Sequence, residues 1–541
     1  MKKIRKIFAV LLSLAMVLGM SVTTFADGPK KPTQDDVANA KVTNITTEGV
    51  TVTAYKIVWA DYNEEGFTGY KWVEGIGKDV KASVFGEDGK LALTDTEIAE
   101  LASTVNDKFP DGGIDMPASQ TESGAYEADL NAGTYMVLVT GSGTTVYNPM
   151  LVSVGYSIEG TGDNNQLVDG VVSAKDSWTL ISNNAYAKSS EPGVEKTIVG
   201  PGSGNDHGDD VAIGSDVSFR IATQLPSYSE QYQNPKFIVT DTLSKGLSYK
   251  VNSIAIADDK GNAIDSNNYV IAPIAPDSVT KETVISIDFD SDFVAKNQNL
   301  KIIITYKATL NDDAGINFEA NTNSVKVEYS NNPTDDTKLT KKEDKTYHYT
   351  FGIDANLNGS ESKKTQELYK VDENGTVLVD GEKVTVTNPL KGAKFELRKE
   401  DGTVAGVATS GEDGSLSFIG LDAGTYKLVE TEAPVGYSLD TKPHTVVITA
   451  NYYTEGELKG KLKNYSITID GEATSTYSAT YEGETATVVV DQTGSTGIKN
   501  TKIGSLPSTG GIGTTIFTIG GCLIMIAAAG LFFASRRKSA K

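Results

Sequence analysis

Two primary amines, Lys188 and Lys196, stand eight positions apart in "AYAKSSEPGVEK" (residues 185–196), a Ser-, Pro- and Gly-containing stretch of an otherwise acidic chain. A lysine attacks a carbonyl carbon only as the neutral amine, so it needs either apolar burial or an acyl group that is already activated. The rest of the sequence suggests that each makes a covalent bond, one to another chain and one within its own. Other chemistries find little support. His207, His348 and His444 are scattered, with neither metal-ligand spacing nor the partners of a catalytic triad. "GPGSGNDHGDD" (200–210) has glycines but neither the Lys-Ser/Thr of a phosphate loop nor the ligand spacing of an EF-hand, and reads as a solvated acidic loop. No metal, no cofactor and no multiple-turnover enzyme are expected.

The two ends say where such chemistry would take place. Lys2, Lys3, Arg5 and Lys6 precede an apolar run from Ile7 to Met20, and "TFA" offers a small-residue cleavage site between Ala26 and Asp27. Residues 1–26 therefore read as a secretory signal peptide, too short in its apolar part to span a membrane. At the other end, Ile516 to Ala534 is uncharged and apolar, about long enough to cross a bilayer. Arg536, Arg537 and Lys538 should hold that end in the cytoplasm. Just upstream lies Leu506-Pro507-Ser508-Thr509-Gly510. With the apolar segment, the basic tail and the signal peptide, this pentapeptide resembles the wall-sorting signal of Gram-positive bacteria. The resemblance implies a membrane transpeptidase, a sortase, that cuts between Thr509 and Gly510 and holds the Thr509 carbonyl as a thioester until an amine takes it. The only cysteine, Cys522, would be discarded with residues 510–541, so disulfides cannot stabilise the exported chain. Of the 49 Lys and Arg, eight lie in the two processed ends and none of the 71 acids does, leaving 41 bases in residues 27–509 and a balance of −30. That sign disfavours nucleic acid as a partner and suits a soluble exposed surface.

The elements that must position reactive groups are mostly strands. "VTVTAYKIV", "SIAIAD", "VISIDFD", "LKIIITYKATL" and "SVKVEYS" alternate in polarity and are bounded by Gly, Asn, Asp and Pro, at spacings typical of β-sandwiches. One helix stands out in "TDTEIAELASTVNDKF". Thr94 and Glu97 form a capping-box pattern, and Ile98, Leu101, Ala102 and Val105 share a face, placing the helix as a crossover that covers a sheet edge of the first domain. Linker signals at "KSSEPG" (188–193) and "SNNPTDDTKLTKKEDK" (330–345) divide the exported chain into three domains, 27–187, 188–338 and 339–505, followed by the sorting segment 506–541.

"LNAGTYMVLV" (130–139) matches "LDAGTYKLVE" (421–430), pairing Leu130 with Leu421, Gly133 with Gly424 and Tyr135 with Tyr426; at the last position Val139 stands where the third domain has Glu430. Glu430 belongs to "YKLVETEAPVGY" (426–437), which resembles the E-box of the isopeptide-forming, SpaA-type major backbone pilins of Gram-positive bacteria. The resemblance covers the exported chain in outline and is sharpest in the third domain and the sorting signal. It implies an all-β protein of three tandem immunoglobulin-like (CnaA/CnaB-type) sandwiches, in which a Lys on the first strand of a domain bonds to an Asn on the last and a buried Asp or Glu promotes the reaction. Apolar burial favours a neutral amine and a neutral acid, and folding supplies the proximity that substrate binding gives an enzyme.

On that resemblance the third domain's bond joins Lys370 in "QELYKVDENG" to Asn500 in "STGIKNTKIG", with Glu430 as the acid and Lys391 and Lys394, in "LKGAKFELRKEDG", as rival amines. The middle domain's bond joins Lys196 in "GVEKTIV" to Asn323 in "NTNSVKVEYSNNP", with Asp241 of "FIVTDTLSKGLSY" as the acid. Asn321 shares strand parity with Asn323 and competes with it. The first domain, with Val139 in place of the acid, is expected to form no such bond. The family's acceptor for the next subunit's thioester is a lysine near the end of the first domain, in a pattern like Trp-x-x-x-Val-x-Val-Tyr-Pro-Lys-Asn. "WTLISNNAYAKS" keeps Trp178, Tyr186 and Lys188 but has Ala187 for Pro, Ser189 for Asn and one extra residue, so Lys175 in "SAKDSW" remains the runner-up. The implied protein is the repeated shaft subunit of a covalent pilus on the wall of a Gram-positive bacterium, one that supports adhesion. Its partners would be a sortase, identical subunits, minor tip or base pilins, peptidoglycan and a host surface ligand. The competing class is a monomeric wall-anchored adhesin that binds host matrix or mucus.

Overall fold

Period-two burial runs through four strands of the middle region: Asp216–Gln224, Phe237–Leu243, Lys301–Leu310 and Asn321–Ser330 each bury every second side chain. That alternation is what a strand with one face on a core produces. The computed structural model describes residues 30–86, 90–158, 170–335, 337–357, 364–380, 383–491, 494–504 and 512–538. The signal-peptide segment with its Ala26–Asp27 cleavage site, and Leu506 to Gly510 of the sorting motif, lie outside the described residues. The chain divides into two units, one of residues 1–315, 320–349 and 452–461, the other of residues 316–319, 350–451 and 462–541.

The first unit contains two sandwiches. In the first, one sheet runs in the order Trp178–Ser182, Met150–Ile158, Gly133–Thr140, Thr51–Asn63, Gly66–Trp72, Val172–Ser173. The facing sheet centres on Val37–Thr43, paired antiparallel to Tyr126–Asn131 and parallel to Ala185–Tyr186. Val42, Val52, Leu130, Tyr135, Val137 and Val139 are among the buried residues between them. The repeated "AGTY" segment has a physical basis. Gly133 (φ +148°) sits opposite a bulge in Thr51–Asn63, where a Cβ would come within 2.3 Å of the Val58 carbonyl oxygen. Two residues on, the Tyr135 hydroxyl donates to the Asn131 carbonyl at 2.9 Å, and in the second unit Tyr426 makes the equivalent bond to the Asp422 carbonyl at 2.8 Å. Both are tyrosine corners, pinning the entry of a core strand.

The helix forms as Asp95–Ser103 with its capping box in place. Ile98, Leu101, Ala102 and Val105 pack on Ile57, Val58, Trp72, Met136 and Leu138. Those partners belong to the central strands of the large sheet, so the helix covers the sheet's outer face and not its edge.

The second sandwich sets a sheet ordered Val194–Ile198, Asp216–Gln224, Lys301–Leu310, Leu247–Tyr249 against one ordered Gly208–Asp210, Leu339–Tyr349, Asn321–Ser330, Phe237–Leu243, Thr283–Phe289, Tyr269–Ile271. Leu339–Tyr349, which sequence alone assigns to linker and third domain, pairs with Asn321–Ser330 from Leu339 to His348 and with Gly208–Asp210 as far as Tyr349, carrying this sandwich on to Tyr349. The strand of Asn323 is therefore followed by one more.

In the second unit a sheet runs Val404–Thr409, Lys394–Lys399, Gly424–Glu432, His444–Tyr452, Leu462–Ile469, Glu472–Glu482, Thr485–Asp491. Leu368–Asp372 pairs in parallel with Thr496–Asn500, close to the C-terminal end of the module. Beyond it Ile512–Lys538 is one helix of 27 residues. Among the described residues no helix is long and apolar enough to cross a membrane; both ends of the expected span, 516–534, fall on side chains outside that description.

Candidate functional site

Four polar side chains occupy inward positions of the second sandwich where the alternation calls for apolar ones. Lys196 and Tyr306 come from one sheet, Asp241 and Asn323 from the other. All four are buried, Lys196 and Asn323 at 0% exposure and Asp241 at 1%. Lys196 Nζ donates to Asp241 Oδ2 at 2.6 Å and to the Tyr306 hydroxyl at 3.1 Å. The hydroxyl in turn donates to Asp241 Oδ2 at 2.5 Å and accepts from Asn323 Nδ2 at 2.5 Å. Burial lowers the pKa of the Lys196 amine, outweighing the attraction of Asp241 that acts the other way. Phe219 lies 4.9 Å from the amine and stacks on Tyr306, so the cluster has an apolar wall.

Asn321 sits apart from this cluster. Its side chain is spent on the Gly315 backbone, accepting from its N–H and donating to its carbonyl, both at 2.9 Å, and it also donates to the His348 carbonyl. Two residues that sequence reasoning did not single out for this site belong to it. Tyr306 touches Lys196, Asp241 and Asn323 together. His348 is fully buried, stands edge-on to Phe219, and is held neutral by burial and by the nearby Lys196, its pKa lowered to about 3. Inward parity in "KIIITYKATL" was the available signal for Tyr306, but a tyrosine there reads equally well as core.

The second unit holds a cluster of the same chemistry. Glu430 follows Tyr426 and Leu428 on the inward face of its strand and is 3% exposed; Lys370 and Asn500 are at 0% and 2%. The parallel pairing sets Asp372 beside Asn500 and Lys370 beside Ile498. The Lys370 amine donates to Asn500 Oδ1 and stands 3.4 Å from Glu430 Oε1. Asn500 Nδ2 donates directly to Glu430 Oε1 at 3.0 Å, while Oε2 accepts from the Asp440 N–H at 2.6 Å. Burial lowers the Lys370 pKa here too, against the pull of Glu430. The rival amines lie elsewhere, Lys391 on Glu412 and Lys394 on Glu432. In the first sandwich Val139 fills the acid's position in the repeat and is packed in the core.

Lys188 is exposed, yet its backbone is fixed on both sides. Ala187 is buried, its N–H donates to the Thr43 carbonyl and its carbonyl accepts from Asn44 Nδ2 at 2.7 Å. Ser189–Ser190 pairs with Val146–Tyr147. Lys175 is exposed in a turn closed by Asp176. Among the described residues no group of three or more His, Cys, Asp or Glu side chains is arranged to hold a metal ion.

Tandem sandwiches, two of them with a lysine, an acid and an asparagine meeting in the core, define a modular all-β protein. Comparison with known families identifies the modules. A T6 antigen Ig like domain matches residues 35–189, a Gram-positive pilin backbone subunit 2 Cna-B-like domain residues 213–333, a SpaA prealbumin-like fold domain residues 364–462, and an LPXTG cell wall anchor motif residues 498–541. The trypsin-resistant surface T6 protein of Streptococcus pyogenes serotype M6 is 30% identical over 98% of this chain and 99% of its own length. The T6 backbone pilin structure, described as a modular three-domain one, shares the fold at a TM-score of 0.58 and 23% identity, covering 88% of this chain and 100% of that one. The chain belongs to this family of sortase-assembled Gram-positive backbone pilins. It is a structural subunit of a covalent, cell-wall-anchored pilus and not a member of a catalytic enzyme family.

Proposed function

We propose that this subunit is linked head to tail through Lys188 of one chain and Thr509 of the next, and that each copy is stapled internally by Lys196–Asn323 and Lys370–Asn500 isopeptide bonds. A sortase would cut between Thr509 and Gly510 and hand the acyl group to Lys188, or to peptidoglycan at the base of the fibre. The internal bonds need no enzyme. Asp241 and Glu430 each take a proton from the buried amine, which then attacks the asparagine Cγ once per chain, and ammonia leaves. The observation that carries this reading is the recurrence, in two different sandwiches, of a buried amine within hydrogen-bond or ion-pair reach of a buried acid and next to a buried amide. Lys188 supports the intermolecular half, because an exposed side chain on a pinned backbone can enter a sortase site without local unfolding.

The test is a denaturing gel of boiled wall extracts from the native host, probed with antibody to residues 27–505. A ladder of high-mass species that collapses in Lys188→Arg is the expected result. A ladder that survives moves the acceptor, with Lys175→Arg next. A single band at the monomer mass would sink the shaft reading and leave a wall-anchored adhesin in its place.

A further inference from the structure

The two buried clusters connect acid and amide differently. In the second unit Asn500 Nδ2 donates to Glu430 at 3.0 Å, so the acid can pass a proton to the leaving nitrogen in one step. In the middle sandwich the partner of Asn323 Nδ2 is the Tyr306 hydroxyl, which is itself bonded to Asp241. Asp241 Oδ1 and Asn323 Oδ1 are both buried without a partner, so neither atom joins acid to amide directly. Tyr306 also accepts from the attacking amine at 3.1 Å, which among the described residues makes it the one side chain in contact with nucleophile, acid and leaving group together.

We infer that Tyr306 is a catalytic residue of the middle-domain cross-link, relaying the proton of Asp241 to the departing asparagine nitrogen; the inference rests on the proposed Lys196–Asn323 bond. Asp241 first takes a proton from the Lys196 ammonium on Oδ2, the atom both groups share. The hydrogen bond to Tyr306 then reverses, with the acid donating to the phenol oxygen and the phenol hydrogen turned toward Asn323 Nδ2. As the Nζ–Cγ bond forms, Tyr306 passes its proton to Nδ2 and is reprotonated by Asp241, and Nζ returns a proton to Asp241. The Cγ–Nδ2 bond breaks and ammonia leaves with Asp241 protonated, as it was at the moment of attack. Nothing is oxidised or reduced. A phenol suits this place because the position is apolar: a second carboxylate there would add a buried charge, whereas a hydroxyl accepts and donates while neutral.

The experiment compares the chain from Asp27 to Thr509 with its Tyr306→Phe variant. Intact mass is followed after refolding from denaturant, and cross-linked peptides assign each bond. The wild type should become lighter by two ammonia molecules. Tyr306→Phe should lose the one from Lys370–Asn500 at the wild-type rate and the one from Lys196–Asn323 roughly a hundredfold more slowly or not at all, the range expected for a lost proton-transfer group. The bond in the second unit reports that this unit has refolded, and near-ultraviolet circular dichroism reports the packing of the middle sandwich. Installing 3,5-difluorotyrosine at position 306, which keeps shape and hydroxyl, should restore the second loss and separates chemistry from packing. A Tyr306→Phe chain that forms both bonds at the wild-type rate overturns the relay and leaves the cross-link standing. A wild-type chain that never links Lys196 to Asn323 overturns both.

Discussion

Replacing Lys370 by methionine isolates the contribution of the proposed Lys370–Asn500 bond in the third module. Methionine has nearly the length of the lysine stem and no charge, so the buried cavity stays filled. Glu430 keeps Asn500 Nδ2 at 3.0 Å and the Asp440 N–H at 2.6 Å, and because a cross-linked Lys370 is already an uncharged amide nitrogen, the substitution removes no cation from a linked chain. What is lost is the proposed link between residues 130 positions apart. Treating that link as a closed loop in the unfolded chain, by the entropy relation used for disulfides, gives about 5 kcal/mol at 25 °C. In a module of this size that corresponds to a fall in unfolding temperature of roughly 10–20 °C. Calorimetry of the chain from Asp27 to Thr509 should show that shift in one transition only, with the mass higher by one ammonia after allowing for the side-chain change. Two results would refute the reasoning. One is an unchanged ammonia loss, which would mean that another amine makes the bond. The other is a transition that moves by only a degree or two although the bond is gone, which would mean that the unfolded chain is already constrained by residual structure.

Further outcomes follow from the same geometry. Asn323→Ala should abolish one ammonia loss, whereas Asn321→Ala should keep it and loosen the Gly315 turn and the bond to the His348 carbonyl that Asn321 holds; intact mass and hydrogen exchange tell them apart. Val139→Glu restores the family's acid to the first sandwich without an amine and amide to serve it, so it should cost about 3 kcal/mol or more for an unpaired buried charge and release no ammonia; urea midpoints measure the cost. His348 gives a pH dependence. Its pKa is near 6.5 unfolded and about 3 folded, so between those values the unfolded chain binds more protons and stability falls as pH drops. At pH 4.5 the loss is about 2–3 kcal/mol, and it should vanish from the difference between pH 7.5 and 4.5 urea curves in His348→Phe.

Much of this was legible in the residues, and the part that was not has a common cause. Period-two alternation marks which side chains point inward, and it shows Asp241 in "FIVTDTL" as a polar residue at a core position. It does not say which strand faces which across the sandwich. Tyr306 therefore looks like one more core aromatic until the other sheet brings Asp241 and Asn323 to its hydroxyl. His348 is hidden for the same reason. "TKLTKKEDK" reads as a linker because its charges are dense, yet it forms most of a strand paired from Leu339 to His348, since hydrogen bonding to Asn321–Ser330 is indifferent to side chains that stay solvated. The helix of the first sandwich shows the same limit: amphipathicity says that one face is buried, not whether it lies on a sheet's face or its edge.

The placement of the two proposed staples suits a fibre under tension. In the third module the strand carrying Lys370 runs parallel to the one carrying Asn500, and Asn500 is the last residue of its strand before the chain runs on to Thr509. Two parallel strands pulled from opposite ends are loaded in shear along their hydrogen bonds, and once those part the sheet behind them can unravel. A bond from Lys370 to Asn500 passes the force directly between them, and the chain enclosed by the bond carries none of it. In the middle sandwich the bond would run from the edge strand Val194–Ile198 to the opposite sheet, on a strand with paired neighbours on both sides. There it prevents the edge strand from peeling away at the point where the chain enters from the first sandwich. The first sandwich has a valine where the acid would be, and it carries the exposed Lys188 near its end. Force that reaches a subunit through an acylated Lys188 enters just before Lys196, so it need not cross the first sandwich at all. A staple there would protect a module that the covalent path bypasses, and this gives a mechanical reason for the difference between Val139 and Glu430.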